Sequence, residues 1–151
     1  MFKNSERTRN MDMATEPQSE PEAKWGDALI AGFQVMPDAL IRGQHLLKLN
    51  ATDMVVIANL NQAWWFEQNM PFLQPNTIAK RMGVSERSVQ RSLSRLRKLG
   101  YLDQVRQRLN DGTVRYYHDL SGFRAHVAEL ARRDFRFSQN LRSSRAPKAQ
   151  R

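Results

Sequence analysis

The fold is decided by the stretch Pro75-Asn-Thr-Ile-Ala-Lys-Arg-Met-Gly-Val-Ser-Glu-Arg-Ser-Val-Gln-Arg-Ser-Leu-Ser-Arg-Leu-Arg-Lys-Leu-Gly-Tyr-Leu102. Gly83 can adopt the positive φ that a three-residue turn requires, and Ser85 is a strong N-cap for the helix that follows. Ala79 is small enough to let that helix cross closely over the preceding one. The stretch therefore predicts a helix-turn-helix, with helices over residues 76–82 and 86–99.

The elements around this unit follow from caps, turns and periodicity. Pro37 suits the first position of a short helix over residues 38–44. Asn50 caps a helix that runs to about residue 66, and its apolar arc is wide enough to predict burial on two sides. Two strand-like runs, residues 101–109 and 113–118, are joined by Asn110-Asp111-Gly112, which is a hairpin signal. A final helix begins at Ser121 and carries the apolar residues Phe123, Val127, Leu130 and Phe135.

The predicted fold class is therefore mainly α with one small β-hairpin, flanked by extra N- and C-terminal helices. Composition divides the chain into five parts. Residues 1–24 are polar and are expected to be a disordered tail. An N-terminal extension (25–49), the helix-turn-helix with its hairpin (50–118), a C-terminal helix (119–141) and a basic tail (142–151) follow.

The charge of the chain points to an anionic partner. The 151 residues hold 24 Lys and Arg against 15 Asp and Glu, a formal net charge of +9. Residues 75–108 carry nine basic and two acidic side chains, and residues 124–151 carry eight and two. Such focused positive potential attracts phosphate, although a solvated helix face with a basic tail would show the same charge.

Several classes of protein do not fit the sequence. There is no cysteine, the three histidines are scattered, and no Walker loop, dinucleotide fingerprint or nucleophile elbow is present, so we expect no enzyme, no cofactor and no metal site. The longest apolar run, Met54-Val-Val-Ile-Ala58, is far shorter than the roughly 20 residues of a membrane span. The first residues lack an apolar signal region. We expect a cytoplasmic, nucleoid-associated protein without a membrane partner.

The second helix of the helix-turn-helix is amphipathic. Its inner face carries Val89, Leu93 and Leu96 at helical spacing. The opposite face is long-armed, rich in hydrogen-bond donors and mostly cationic, as readers of base edges and phosphates are. It consists of Glu86, Arg87, Gln90, Arg91, Ser94, Arg95 and Lys98.

These residues resemble the shared core of the winged helix-turn-helix superfamily of bacterial DNA-binding proteins. The run from Gly32-Phe-Gln-Val-Met-Pro37 to Trp64-Trp65 is also similar to uncharacterised helix-turn-helix proteins and to phage or plasmid replication initiators. The resemblance covers about two-thirds of the chain and implies double-stranded DNA as the partner. The sequence departs from the pattern at Ser92, where related motifs often carry an apolar residue.

The resemblance also implies roles for individual residues. The recognition helix, residues 85–99, would enter the major groove and turn Ser85, Arg87, Ser88, Gln90 and Arg91 towards the bases. Thr77, Lys80 and Arg95 would hold phosphates, and the hairpin, or wing, would place Arg106, Arg108 and Arg115 against the backbone or the minor groove. Of the two adjacent tyrosines in the wing, we expect Tyr116 to lie in the core.

Three biological roles remain open at this point. A transcription regulator that binds a specific sequence is the first, and a phage or plasmid replication-initiation or partition protein is the second. The third is a winged-helix module that binds proteins, against which the cationic recognition helix argues. The terminal helices carry more apolar surface than a minimal winged helix needs, so they either pair in a homodimer or cover the core of the monomer.

Overall fold

A computed structural model describes residues 20–133 of the chain. The chain divides into two units, residues 1–33 and residues 34–151. In the first unit, a short helix, α1 (Glu20–Trp25), is followed by a turn of 3-10 helix, Gly26–Leu29. The 3-10 turn contains no buried residue. Helix α1 begins inside the segment for which the composition predicts disorder. Residues 1–19 and the predicted basic tail, 142–151, lie outside the described residues.

The second unit is a winged helix-turn-helix, and the predicted fold class is confirmed. Its elements follow the predicted order of helix, helix, turn, helix and hairpin, with one helix before and one after. They are α2 (Asp38–Gly43), α3 (Ala51–Gln62), α4 (Pro75–Met82), α5 (Glu86–Lys98), β1 (Asp103–Arg108), β2 (Val114–Asp119) and α6 (Ser121–Arg133). The predicted residues of α6 beyond 133, Phe135 among them, lie outside the described part.

The turn between α4 and α5 forms as its residues predict. Gly83 ends α4 in the left-handed conformation with φ of 65°, which only glycine adopts without strain. Ser85 then caps α5 by accepting a hydrogen bond from the backbone N–H of Ser88. Gly100, with φ of 75°, ends α5 in the same way as Gly83 ends α4. Gly83 thus fixes the end of α4, and Ser85 and Gly100 fix the two ends of α5.

Helix α3 is shorter than predicted and is buried on one face only. Asn50 and Asp53 form a capping box at its start, but the helix ends at Gln62 rather than near residue 66. No glycine or proline lies at this end, and the aromatic residues that follow continue the apolar pattern of the helix. The sequence therefore predicted a longer helix than the structure has. Its buried residues, spaced as one helical face, are Asp53, Val56, Ile57 and Leu60. Val55 is exposed, so the prediction of burial on two sides is wrong.

The core lies between α3, α4 and α5 and is closed by α2 and α6. Its fully buried side chains come from all three central helices and include Val56, Leu60, Ile78, Val89 and Leu96. The first turn of α6 approaches the end of α5 so closely that the position of a Cβ on Gly122 would overlap the carbonyl oxygen of Gly100. The end of α6 approaches α2, where a Cβ on Gly43 would meet the side chain of Leu130. Glycine at both points lets α6 close the core.

The wing is an antiparallel pair in which β1 and β2 run alongside each other from Asp103–Asp119 to Arg108–Val114. His118 fastens its base to the loop before α4. The backbone N–H of His118 donates to the carbonyl of Pro71 at 2.9 Å, and its ring Nε2 lies 3.1 Å from the carbonyl of Leu73. Because a carbonyl only accepts, Nε2 is the protonated nitrogen of the neutral ring, and Nδ1 has no hydrogen-bond partner within residues 20–133.

The close approach of α6 gives a first prediction. Alanine normally stabilises a helix relative to glycine, but Gly122→Ala should destabilise the protein by about 1–3 kcal/mol, since the new methyl group meets backbone that cannot rotate away. Gly43→Ala is the matched control and should cost less, because the side chain of Leu130 can adopt another rotamer. Urea unfolding of the two variants tests this order. A Gly122→Ala protein as stable as the wild type would contradict the packing described.

The buried His118 gives a second prediction. Burial lowers the pKa of His118 below its ordinary value, and the charge of Arg97 lowers it further, while the bond to the Leu73 carbonyl opposes both. The unfolded chain takes up a proton near pH 6.5 that the folded chain does not, so this contribution to stability is present above that pH and is lost on acidification.

Urea titrations between about pH 7.5 and pH 5 should therefore show the free energy of unfolding falling as the pH falls. His118→Gln keeps a donor for the Leu73 carbonyl but cannot titrate, and its stability should change less over this range. The same pH dependence in both proteins would show that another group is responsible.

Candidate nucleic-acid interface

The rotation of α5 decides which of its side chains face solvent. Val89, Ser92, Leu93 and Leu96 are buried and, at about 100° per residue, lie on one side of the helix. The side directly opposite is a stripe that runs the length of the helix. We call it the α5 stripe, and it consists of Arg87, Arg91, Ser94 and Lys98, with Gln90 at its edge.

Of the predicted base-facing residues, the two arginines of the α5 stripe are the most available to an external partner. Arg87 and Arg91 are exposed, and no carboxylate within residues 20–133 forms a salt bridge with either. Gln90 is also exposed, but its amide donates to Glu86 at 2.9 Å. Bidentate pairing with guanine needs a free guanidinium on an exposed helix face, and both arginines meet that condition.

The two predicted serines have structural roles. The Ser85 hydroxyl accepts from the backbone N–H of Ser88, and the two hydroxyl oxygens are 2.9 Å apart. These bonds cap α5, so a base contact from either hydroxyl would compete with the cap. Their predicted role in base reading stays untested.

Arg95 is held by a buried network. Asp53 is fully buried, and its carboxylate accepts from the Ser92 hydroxyl at 2.7 Å and from the Arg95 guanidinium. The same guanidinium nitrogen lies 3.2 Å from the carbonyl of Lys48. Arg95 thus balances a buried charge, a use that the sequence did not predict. Its predicted phosphate contact would have to come from the guanidinium surface left outside the network.

The remaining phosphate candidates lie on α4 and the wing. Lys80 is exposed and Thr77 half-buried, in the first two turns of α4. In the wing, directly opposite residues share a face of the sheet, so Arg106 faces the same side as Tyr116. Arg108 lies two residues further along on that side.

Arg115 lies on the other face of the wing and does not join Arg106 and Arg108. Its guanidinium lies 5.1 Å from the centre of the Phe72 ring, which in turn packs against Tyr117. The structure therefore divides the three wing arginines between two faces.

Tyr116 corrects the prediction that it lies in the core. About half of it is exposed, at 48%, because the register places it beside Arg106 on the side of the hairpin away from Phe72. Tyr117 takes the half-buried position instead. The sequence did not predict an exposed aromatic side chain beside Arg106, and this position follows from the strand register.

Neither a cluster of metal ligands nor a membrane-spanning helix is found within residues 20–133. Within residues 20–133, no group of three or more His, Asp or Glu side chains could hold a metal ion. None of the helices in that range is both long enough and apolar enough to cross a membrane.

The profile of the DnaD N-terminal domain family matches residues 36–134, more than half of the chain. No curated protein matches. One similar solved structure is the N-terminal domain of DnaD protein from Geobacillus kaustophilus HTA426, with 19% identity, a TM-score of 0.49 and coverage of 84% of this chain and 97% of that one.

A second similar structure is described as a possible transcriptional regulator from Methanosarcina mazei Go1. It has 18% identity and a TM-score of 0.42, with coverage of 66% of this chain and 82% of that one.

The different surroundings of Arg91 and Arg95 give a third prediction. Arg95→Ala should lower the free energy of unfolding by about 1–3 kcal/mol, since it leaves the buried Asp53 carboxylate without its counter-charge. Arg91→Ala, which removes the same charge from the same helix, should stay within about 0.5 kcal/mol of the wild type. Chemical denaturation measures both, and equal losses would contradict the structural role of Arg95.

Proposed function

This chain belongs to the DnaD N-terminal domain family, and we propose that it binds double-stranded DNA in a sequence-dependent way through the α5 stripe. The observation that carries the proposal is the pair Arg87 and Arg91, exposed and without a salt-bridge partner within residues 20–133, on the outward face of a helix in a helix-turn-helix. The family membership supports a DNA-related role for the domain.

In this proposal α5 lies in the major groove. Arg91 and Arg87 make bidentate contacts to guanine, and Gln90, once its amide leaves Glu86, pairs with adenine. Both arginines lie in the N-terminal half of α5, which is the part of a recognition helix that reaches base edges. Lys98, at the other end of the stripe, would contact a phosphate.

The remaining cationic residues would hold the DNA backbone. Thr77 and Lys80 on α4 and the outer surface of Arg95 fix the register of α5 on the duplex, whereas Arg106 and Arg108 bring one face of the wing to the backbone or minor groove. Arg115, which packs on Phe72, adds charge from the other face. These contacts raise affinity without selecting a sequence.

The biological setting that we propose is DNA replication. Membership in the DnaD N-terminal domain family favours a replication-related role, which was the second of the roles left open by the sequence, over transcription regulation. A homodimer, with two recognition helices about one DNA turn apart, is part of this proposal and would bind a palindromic site.

The test is selection from a random duplex library, followed by titration of the selected site and of random DNA at several salt concentrations. Arg91→Ala should weaken binding to the selected site by about 1–3 kcal/mol and binding to random DNA much less, since a base contact is lost together with one charge. A palindromic site would support the homodimer.

Arg132→Ala is the matched control, because it removes the same charge from α6, where Arg132 pairs with Glu129. It should reduce affinity for both DNAs slightly and alike. If Arg91→Ala also weakened both DNAs equally, the base-reading role would be wrong. If no motif were enriched, the domain would bind DNA by charge alone.

A further inference from the structure

The two edges of the wing can be assigned from its hydrogen bonds. The N–H of Leu109 donates to the carbonyl of Thr113 at 2.8 Å, so the rungs of the ladder fall at every second residue from this pair. Val105–Tyr117 and Gln107–Arg115 are therefore the bonded pairs. The backbone groups of Val114, Tyr116 and His118 point the other way, out of the hairpin, as the bond from His118 to Pro71 shows.

The outer edge of β2 is unpaired beyond His118. A third strand would continue by bonding the loop before α4 to Tyr116 and then to Val114, but no backbone or side-chain group within residues 20–133 bonds to their outward N–H and C=O groups. The carbonyl of Leu73, the next in line, is taken by the ring of His118 at 3.1 Å. The imidazole thus occupies the acceptor that the next backbone rung would use.

A cleft of about 430 Å³ lies between the loop, residues 72–75, and β2, residues 114–116. We call it the wing cleft. Apolar side chains line both sides, Phe72 and Pro75 from the loop and Val114 and Tyr116 from β2, and polar side chains, Gln74, Gln104 and Thr113 among them, complete the lining. Arg115 also lines the cleft, and no described carboxylate does.

We propose that the wing cleft binds an extended, acidic peptide segment of another protein, which adds a strand to β2. Two free rungs, at Val114 and Tyr116, are about 7 Å apart, the repeat of every second residue in an extended chain. A segment of about three residues spans them and fits the apolar walls with alternate side chains. The proposal stands independently of DNA binding by the α5 stripe.

The chemistry of the wing cleft selects this occupant. Each free rung offers a donor and an acceptor in the plane of the sheet, and an extended backbone supplies their complement at the same spacing. A single nucleobase has donors and acceptors on an edge too short to meet both rungs. The acidic character follows from Arg115, which lines the cleft, and from the lack of a carboxylate among the described lining residues.

The experiment uses the ¹⁵N-labelled full chain and a capped heptapeptide that alternates valine with glutamate. Before addition, the amides of Val114 and Tyr116 should exchange with solvent faster than those of Arg115 and Tyr117, which bond to β1. Addition should shift the Val114 and Tyr116 amide signals and slow their exchange about tenfold or more. Shifts confined to α5 would show charge attraction alone and overturn the proposal.

Two modified peptides test whether backbone pairing is responsible. One carries N-methyl groups on the valine amides and the other on the glutamate amides, so that only one of them loses the donors facing β2. One peptide should bind as before and the other about tenfold more weakly. Equal binding by both would mean that side chains alone make the contact, and the proposal would be wrong.

The protein offers a matched pair of variants at one position. Tyr116→Ala loses part of the cleft wall but keeps the outward N–H, whereas Tyr116→Pro loses both, so Tyr116→Pro should bind the peptide about tenfold more weakly than Tyr116→Ala. If Tyr116→Pro does not fold, the two methylated peptides still decide. Failure of the unmodified peptide, with a single-stranded oligonucleotide moving the Val114 and Tyr116 signals instead, would assign the cleft to nucleic acid. Duplex titration of the same variants shows separately whether DNA binding is intact.

Discussion

The structure depends on one buried carboxylate. Asp53 caps α3 through the backbone of Asn50, accepts the hydroxyl of Ser92 and pairs with Arg95. Because a buried charge that loses its partners is costly, α5 cannot rotate about its axis without breaking two of these bonds. The network therefore fixes the rotation of α5 against α3. Hydrogen bonds require a narrow range of distances and angles, whereas the apolar contacts on the same face of α5 would tolerate small rotations.

The same constraint shapes the outward surface. With Ser92 turned inward to Asp53, Arg87 and Arg91 lie on the opposite side of α5. Arg95 lies at the flank of α5, where it pairs with the buried Asp53, although 42% of its side chain is exposed. The helix that looks uniformly cationic in sequence thus has two kinds of arginine. One kind holds the domain together, and the other is left free to meet a partner.

The sequence predicted the helix-turn-helix well because local chemistry encodes it. Gly83, Ser85 and Gly100 set the ends of the helices through φ and capping, and these effects depend on few neighbours. The end of α3 and the side of the wing on which Tyr116 lies could not be predicted, since both depend on tertiary contacts. Ser92 was the visible signal of the missed network, for a polar residue at an apolar position needs a buried partner.

The wing joins two surfaces that do not obstruct each other. Side chains stand roughly perpendicular to a sheet, whereas backbone rungs lie in its plane. Arg106 and Arg108 therefore project from one face of the hairpin, while the free rungs of Val114 and Tyr116 open sideways towards the loop. A strand added at this edge leaves the two arginines uncovered. His118 fastens the wing to this loop through its backbone N–H and its ring, and because the ring occupies the Leu73 carbonyl, that carbonyl cannot accept a further backbone rung from β2.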